Sequence, residues 1–281
     1  MTNQTPAPVG GSGSAAVTDM LTVRGIKKTF GRVNALREAS MSLPRGQVTA
    51  IVGDNGAGKS TLVKCIVGVH APDEGEVLLD GERVHFTNPQ QARDAGIETV
   101  FQDLALVEDL TVAENLFLGR EPTRGAGPLR LLNRRRMRSE ALDMVSALAI
   151  NVPRVNARVR RLSGGQRQAV SLARAAGFSS KLIVLDEPTA ALGVQETARV
   201  EELILDLKQR GVTILLISHN FEQVLRLSDQ VQVMRAGRTV AQRRTSATDG
   251  QELVGLVTGA IIDPATAEAE VADAHEEETL A

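Results

Sequence analysis

The residues with the clearest chemical meaning form a glycine-rich stretch that contains one lysine and two hydroxyl side chains. It follows the apolar run Val48–Val52 and opens a predicted helix at Gly58, the context that a phosphate-binding loop requires. Glycines let several backbone N–H groups approach a phosphate closely, and the helix start adds a positive dipole. This phosphate loop consists of Gly53, Asp54, Asn55, Gly56, Ala57, Gly58, Lys59, Ser60 and Thr61, which fit the pattern G-x-x-x-x-G-K-[ST].

Each polar side chain of the phosphate loop has an expected partner on a nucleotide. Lys59 is predicted to reach the β- and γ-phosphates as a point charge, and the Ser60 hydroxyl is predicted to ligate Mg²⁺. Thr61 is expected to be a further phosphate contact. The alternative is a purely structural glycine-rich turn, and the strand and helix that flank the motif argue against it.

Two acids and a histidine follow apolar runs in a comparable way. Asp186 and Glu187 end the run that begins at Leu182, and His219 follows the apolar residues 214–217. A buried parallel strand presents polar residues at its carboxyl end, where such sheets bind ligands. We therefore expect Asp186 to hold Mg²⁺ through water, Glu187 to polarise an attacking water, and His219 to contact the γ-phosphate or Glu187. The alternatives are acids that cap the next helix and a structural histidine.

The elements that position these residues alternate between strand and helix. Strands at Val48–Val52, Leu182–Asp186 and 212–218 are followed by helical patterns at residues 58–67, 194–209 and 220–227, respectively. This alternation predicts an α/β core with a mainly parallel sheet. The turn signals near residues 31 and 44–46 and the Asp80-Gly81 dipeptide predict an antiparallel β portion on the N-terminal side.

Residues 103–161 are predicted to form a helical insertion between core strands, interrupted by Gly125, Gly127 and Pro128. The insertion is rich in arginines, for which there are two interpretations. They bind nucleic acid or lipid headgroups, or they form a solvated helix face. No aromatic residues alternate with them as a stacking platform requires, so the solvated face is favoured. The arginines are Arg120, Arg124, Arg130, Arg134, Arg135, Arg136 and Arg138.

Composition limits the surroundings of the chain. The 281 residues are 42% hydrophobic, but no apolar run approaches the roughly 20 residues that cross a bilayer. The N-terminus lacks the basic and apolar regions of a secretory signal, so we expect the protein to stay in the cytoplasm. A single cysteine, Cys65, agrees with a reducing compartment and is interpreted as a small core residue.

The two ends of the chain differ in composition from the middle. Residues 1–19 are rich in Thr, Pro, Gly and Ser, and residues 263–281 carry seven acids and no Lys or Arg. Both are predicted to be disordered tails around a domain at residues 20–262. The whole chain has a net charge of −2, so the domain without its acidic tail is mildly basic.

A further motif, Leu162-Ser163-Gly164-Gly165-Gln166, opens a helix shortly before the strand that ends at Asp186. Together with the phosphate loop, Gln102, Asp186-Glu187 and His219, this signature segment (residues 162–166) makes residues 21–259 resemble the ATP-binding subunits of ABC transporters. The resemblance implies a P-loop NTPase core of the RecA-like class, with ATP and Mg²⁺ as ligands.

The resemblance also implies roles that the residues alone do not give. Ser163, Gly164 and Gly165 would bind the γ-phosphate of ATP that is held by the phosphate loop of a second subunit, and Gln166 would also belong to the nucleotide site. Gln102 would touch Mg²⁺ and water and link the insertion to the core, with the permease contact near residues 103–118. Phe30 lies where the family places an aromatic ring under adenine, the alternative being a packed core ring.

One residue departs from the family pattern. Gly193 stands where the family usually has an aspartate that crosses the dimer interface, so coupling between subunits could be looser.

The segment around residues 187–193 and the ending 252–259 look most like ATPases of ribose-, xylose- and fructose-type importers. That resemblance implies a homodimer or a pair with a similar subunit, at the cytoplasmic face of the cell membrane. Its partners would be transmembrane permease subunits and, indirectly, an extracytoplasmic sugar-binding protein, without nucleic acid. The alternatives are an ABC ATPase for another cargo and a soluble ABC ATPase that acts on ribosomes or DNA.

Overall fold

The computed structural model describes residues 19–125, 131–148, 150, 152–178, 180–264 and 266. The helices are α1 (Lys59–Ile66), α2 (Pro89–Asp94), α3 (Val112–Leu116), α4 (Arg134–Ala147), α5 (Gly164–Ala176), α6 (Val194–Gln209), α7 (Phe221–Leu227) and α8 (Gly250–Thr258). The strands are β1 (Asp19–Phe30), β2 (Val33–Pro44), β3 (Val48–Val52), β4 (Glu74–Leu79), β5 (Glu82–Val84), β6 (Ile97–Val100), β7 (Thr123–Arg124), β8 (Leu131–Leu132), β9 (Leu182–Asp186), β10 (Thr213–Ile217), β11 (Gln230–Arg235) and β12 (Arg238–Arg244).

Within the described residues, ten strands form one sheet in the order β5-β4-β1-β2-β12-β11-β3-β10-β9-β6. The half from β11 to β6 is parallel. The half that contains β1, β2, β4 and β5 is antiparallel. The predicted α/β core with an N-terminal antiparallel portion is confirmed, and the Asp80-Gly81 dipeptide forms the predicted β4–β5 turn.

The parallel half is buried on both faces, which explains its apolar runs. Side chains alternate across a strand, so Leu215 and Ile217 of β10 join the cluster with α1, whereas Ile214 and Leu216 pack with α5 and α6. Burying each such side chain contributes about 1.5–3 kcal/mol. This packing fixes the carboxyl ends of the central strands relative to one another.

The helical insertion is present, with one difference from the prediction. Helices α3 and α4 form an apolar cluster of their own together with residues of α5. Between them, β7 and β8 pair as a short antiparallel sheet where the sequence predicted only an interruption. Two-residue strands are too short for a periodic pattern to identify. Gly125 is described there, whereas Gly127 and Pro128 lie outside the described residues.

The prediction of a solvated arginine face is wrong for Arg120. Its guanidinium pairs with the buried Glu98 at 2.5 Å and lies 4.7 Å from the ring centroid of Phe178. Burial raises the pKa of Glu98, and the charge of Arg120 opposes that shift. On α4 the prediction holds, because Arg134, Arg135, Arg136 and Arg138 are exposed, as is Arg124, while Arg130 lies outside the described residues.

The innermost residues of the two predicted tails, Asp19 and Asp263, belong to the described part of the chain. Asp19 is the first residue of β1, and the Asp263 carboxylate accepts a hydrogen bond from Arg243 at 2.6 Å. The rest of the two predicted tails, residues 1–18 and nearly all of 264–281, lies outside the described part.

Cys65 is buried as predicted, and burial raises the pKa of its thiol to about 11. None of the helices that the structure describes has the length and apolar character of a membrane crossing.

Candidate functional site

The strand register brings the predicted site segments to one edge of the sheet. Ile217 of β10 is level with Ile51 of β3 and with Asp186 of β9, and Val100 of β6 is level with Leu185. The residues that follow these four strands therefore meet at this carboxyl edge. They are the phosphate loop after β3, Gln102 after β6, Glu187 after β9 and His219 after β10.

The phosphate loop has a backbone that only glycine adopts easily. Gly53 has a φ of 154°, and a Cβ there would lie 2.2 Å from the Met234 carbonyl oxygen. Gly58 has a φ of 98°, and its Cβ would lie 2.8 Å from the Ala35 carbonyl oxygen. Helix α1 begins at Lys59, one residue later than predicted, and Gly58 supplies no side-chain cap to its first turn. The N–H groups of this turn can therefore bind an anion.

The Lys59 ammonium lies inside the curve of the phosphate loop. Nζ donates to the carbonyl oxygens of Gly53 at 2.6 Å and Asp54 at 2.9 Å. Burial lowers the pKa of Lys59, and the charges of Glu187, Asp54 and Asp186 oppose this shift. The side chain is thus a buried cation next to acidic groups, as a lysine that binds phosphate requires. Ser60 is exposed and Thr61 is half-buried in the same helical turn.

Glu187 and His219 are in direct contact at the carboxyl edge. Glu187 Oε1 lies 3.1 Å from His219 Nδ1. Glu187 has a φ of 50°, a left-handed conformation that is strained for a residue with a side chain, and its N–H donates to the Ile217 carbonyl at 2.9 Å. For Asp186, burial raises the pKa, Glu187 adds to that effect and Lys59 opposes it. Glu187, predicted to polarise the attacking water, is therefore paired with His219, for which Glu187 was one of the two predicted partners.

Gln102 lies beyond β6 with its side chain exposed. The two backbone positions that follow nearby, Leu104 and Ala105, have φ values of 58° and 46°. Arg174 of α5 donates to both of their carbonyls, at 3.0 and 2.9 Å, and burial lowers the pKa of its guanidinium. Sequence reasoning missed Arg174. The signal was its place four residues after the buried Val170, which puts an arginine near the apolar face of α5.

The signature segment forms the N-terminus of α5 through a reciprocal cap. The Gln166 N–H donates to Ser163 Oγ at 3.3 Å, and the Ser163 N–H donates to Gln166 Oε1 at 3.1 Å. The pattern S-x-x-Q predicts such a capping box. Gln166, predicted to contact nucleotide, is thereby shown to hold the helix start in shape.

Ser163 and Gly165 share an acidic partner that sequence reasoning missed. Interaction with the Ser163 hydroxyl and with the Gly165 backbone N–H lowers the pKa of the Glu196 carboxyl group. A Cβ on Gly165 would lie 2.9 Å from Glu196 Cβ, so a side chain there would collide with it. The backbone N–H of Gly193 at the start of α6 contributes to the same lowering of the pKa. The N-terminus of α5 therefore lies next to an acidic side chain of the same chain.

Two further predicted positions have clear surroundings. Phe30 is 43% exposed, so the alternative of a packed core ring is wrong. Its ring meets His70 edge-on at 5.0 Å and lies 5.5 Å from Lys28 Nζ. At Gly193, a Cβ would meet nothing within 4 Å, and the residue is the N-cap of α6. Steric crowding within this chain therefore does not exclude the aspartate that the family usually has.

Residues 36–190, more than half of the chain, match the family model described as ABC transporter. This chain belongs to the ABC transporter family. The match begins within β2 and ends just after Thr189, so it includes the phosphate loop, the signature segment and the Asp186-Glu187 pair.

Relatives of this ABC transporter chain include two of similar length. It is 43% identical to the xylose/arabinose import ATP-binding protein of Sulfolobus acidocaldarius, over 86% of this chain and 95% of that one. It is 46% identical to the fructose import ATP-binding protein of Rhizobium meliloti, over 86% and 94%. The ribose import ATP-binding protein of Chromobacterium violaceum is 40% identical over 85% of this chain, which spans only 47% of that relative. The predicted resemblance is confirmed.

Solved structures agree with the fold of this ABC chain. A nucleotide-free ATP-binding cassette from an ABC transporter has a TM-score of 0.72 at 30% identity, over 89% of this chain and 98% of that one. A dimeric ATP-binding cassette in a post-hydrolysis state with ADP and Pi has a TM-score of 0.68 at 25% identity, over 80% and 99%. The fold is therefore that of ABC ATPase cassettes.

Proposed function

We propose that this chain binds and hydrolyses ATP to energise monosaccharide uptake through a separate permease. The observation that supports hydrolysis is the Glu187–His219 contact of 3.1 Å at the sheet edge where the phosphate loop begins. The sugar cargo is supported by the similarity to xylose/arabinose and fructose import ATP-binding proteins over nearly their whole lengths.

The site residues divide into phosphate binding and water activation. The phosphate loop and Lys59 bind the triphosphate. Glu187 accepts a proton from the attacking water, and His219 holds the Glu187 carboxylate and contacts the γ-phosphate. This division keeps the cation that binds the phosphates separate from the base.

The site also fits Mg²⁺. Ser60, Gln102 and Asp186 offer hydroxyl, amide and carboxylate oxygens, which are the ligands that Mg²⁺ prefers. The described residues contain no cluster of three or more His, Cys, Asp or Glu side chains that could hold a metal, so phosphate and water must complete its shell. When bound, Mg²⁺ neutralises charge on the phosphates.

A second copy, or a similar subunit, completes the site. In the proposed dimer, Ser163, Gly164 and Gly165 bind the γ-phosphate of the partner's ATP. The γ-phosphate then takes the place beside Ser163 and Gly165 that the Glu196 side chain has in the single chain. This proposal is supported by the dimeric form of related ATP-binding cassettes.

The proposed location is the cytoplasmic face of the membrane, with the domain at about residues 20–262 docked on permease subunits through the region near residues 103–118. An extracytoplasmic binding protein would deliver the sugar. The test is a deletion strain scored for uptake of labelled xylose, ribose and fructose. Loss of uptake of one sugar, restored by wild type and not by Glu187→Gln, is expected. Unchanged uptake of all sugars, or co-purification with ribosomes instead of membranes, would contradict the proposal.

The exposed ring of Phe30 gives a prediction for adenine binding. Phe30→Ala should weaken ATP binding about 5- to 150-fold, because base stacking on an aromatic ring contributes roughly 1–3 kcal/mol. Phe30→Tyr should bind as wild type does, since the ring is kept. Titration calorimetry with a non-hydrolysed ATP analogue measures both, with Val33→Ala, another exposed apolar residue, as control. Equal ATP affinity of Phe30→Ala and wild type would show that the Phe30 ring does not bind adenine.

A further inference from the structure

A buried glutamine lies directly behind the Glu187–His219 pair. Gln223 of α7 is only 2% exposed, and its side chain makes three hydrogen bonds. Nε2 donates to Thr189 Oγ1 at 2.9 Å and to Glu201 Oε1 at 2.9 Å, and Oε1 accepts from Ser218 Oγ at 2.9 Å. The amide thus joins three separate segments of the chain.

The chemistry of these partners fixes the orientation of the Gln223 amide. A carboxylate only accepts hydrogen bonds, so the Gln223 NH₂ group must face Glu201. Glu201 also accepts two hydrogen bonds from Arg226, at 2.5 and 2.6 Å, which compensate its buried charge. With the amide so placed, its oxygen can accept only from Ser218, whose own Oγ accepts from the Asn220 N–H at 3.1 Å. A single arrangement therefore satisfies the buried amide.

The segments joined by Gln223 are those that carry the reacting side chains. Thr189 lies two residues after Glu187, and Ser218 immediately precedes His219. The His219 side chain is 67% exposed, so packing around it does not fix its position. The hydrogen bond from the Glu187 N–H to the Ile217 carbonyl joins the two turns through the backbone, and Gln223 joins them through side chains next to the reacting groups.

We propose that Gln223 is a positioning residue that holds the His219 turn against the Glu187 turn and so sets the rate of hydrolysis. The proposal rests on the proposed ATPase function. Because none of these hydrogen bonds involves a residue of the phosphate loop, the loss of Gln223 should change kcat and leave the binding of nucleotide intact. A misplacement of a reacting group by about 1 Å can lower the rate about 10²-fold.

The test is steady-state hydrolysis by Gln223→Leu, which removes the amide at similar size. We expect kcat to fall about 10- to 100-fold with the KM for MgATP unchanged. The matched control is Gln230→Leu. Gln230 is also a buried glutamine that donates to a threonine, Thr49, at 3.2 Å, but it begins β11 at the opposite end of the strand from the phosphate loop. The Gln230→Leu substitution should lower the melting temperature and leave kcat per folded molecule unchanged.

A second pair of variants tests the link without disturbing the buried carboxylate, should Gln223→Leu fold poorly. Thr189→Val removes the hydroxyl at constant shape and should lower kcat, whereas Thr189→Ser keeps the hydroxyl and should restore it. Combined with Gln223→Leu, Thr189→Val should add little further loss, since both break one link.

The outcomes separate this inference from the proposed function. If wild type hydrolyses ATP and the folded Gln223→Leu and Thr189→Val variants keep its kcat, or if only KM rises, the positioning role is overturned. If wild type does not hydrolyse ATP, the proposed function fails, and the inference fails with it.

Discussion

Replacing Glu187 by glutamine is expected to lower kcat for ATP hydrolysis by about 10²- to 10⁴-fold, the usual contribution of a general base. Glutamine keeps the size and the hydrogen-bonding reach toward His219 Nδ1, which lies 3.1 Å from Glu187 Oε1, but it cannot accept a proton from water. Lys59 and the phosphate loop are untouched, so ATP binding should be retained.

Phosphate release under saturating MgATP measures the effect of Glu187→Gln, with nucleotide affinity measured in parallel. The matched control is Glu222→Gln, the same change at an exposed acid three residues after His219. Wild-type turnover is expected from the control. Full hydrolysis by Glu187→Gln would reject Glu187 as the base, and loss of ATP binding would assign it to binding instead.

Replacing Lys59 by alanine is expected to weaken ATP binding about 10- to 150-fold. A hydrogen bond to a charged group contributes about 1.5–3 kcal/mol, and Lys59 offers such bonds to the phosphates from a partly desolvated position. In the chain without nucleotide its ammonium donates to the Gly53 and Asp54 carbonyls, so the variant should also unfold at a lower temperature.

Titration with a non-hydrolysed ATP analogue measures this loss of affinity, and thermal unfolding checks the fold. Lys64→Ala is the control, since Lys64 is an exposed lysine on the same helix, and it should bind as wild type does. Equal affinities for Lys59→Ala and Lys64→Ala would show that Lys59 acts on the loop backbone alone.

The central elements of the fold could be predicted because their signals are local. Helix α6 has the predicted bounds, Val194–Gln209, and β9 ends at Asp186 as predicted. Buried parallel strands must be apolar throughout and must end in polar residues, so the sequence marks them clearly. The contact of Glu187 with His219 followed from the shared carboxyl edge of two such strands.

The residues that support the site could not be predicted, because their partners are distant in sequence. Arg174 holds carbonyls about 70 residues before it, at Leu104 and Ala105. Gln223 joins Thr189 and Ser218, and Glu196 reaches the start of α5 at Ser163. These contacts depend on how helices pack on the sheet, and a single polar residue on a helix gives no pattern that names its partner.

The most direct test of the account is whether MgATP joins two copies of the Glu187→Gln variant, measured by sedimentation velocity with bound nucleotide counted. A composite site predicts that MgATP converts monomers into dimers with one ATP per copy, and that adding Ser163→Arg keeps them monomeric while the phosphate loop still binds ATP. Monomers that remain single with ATP bound to every copy would contradict it.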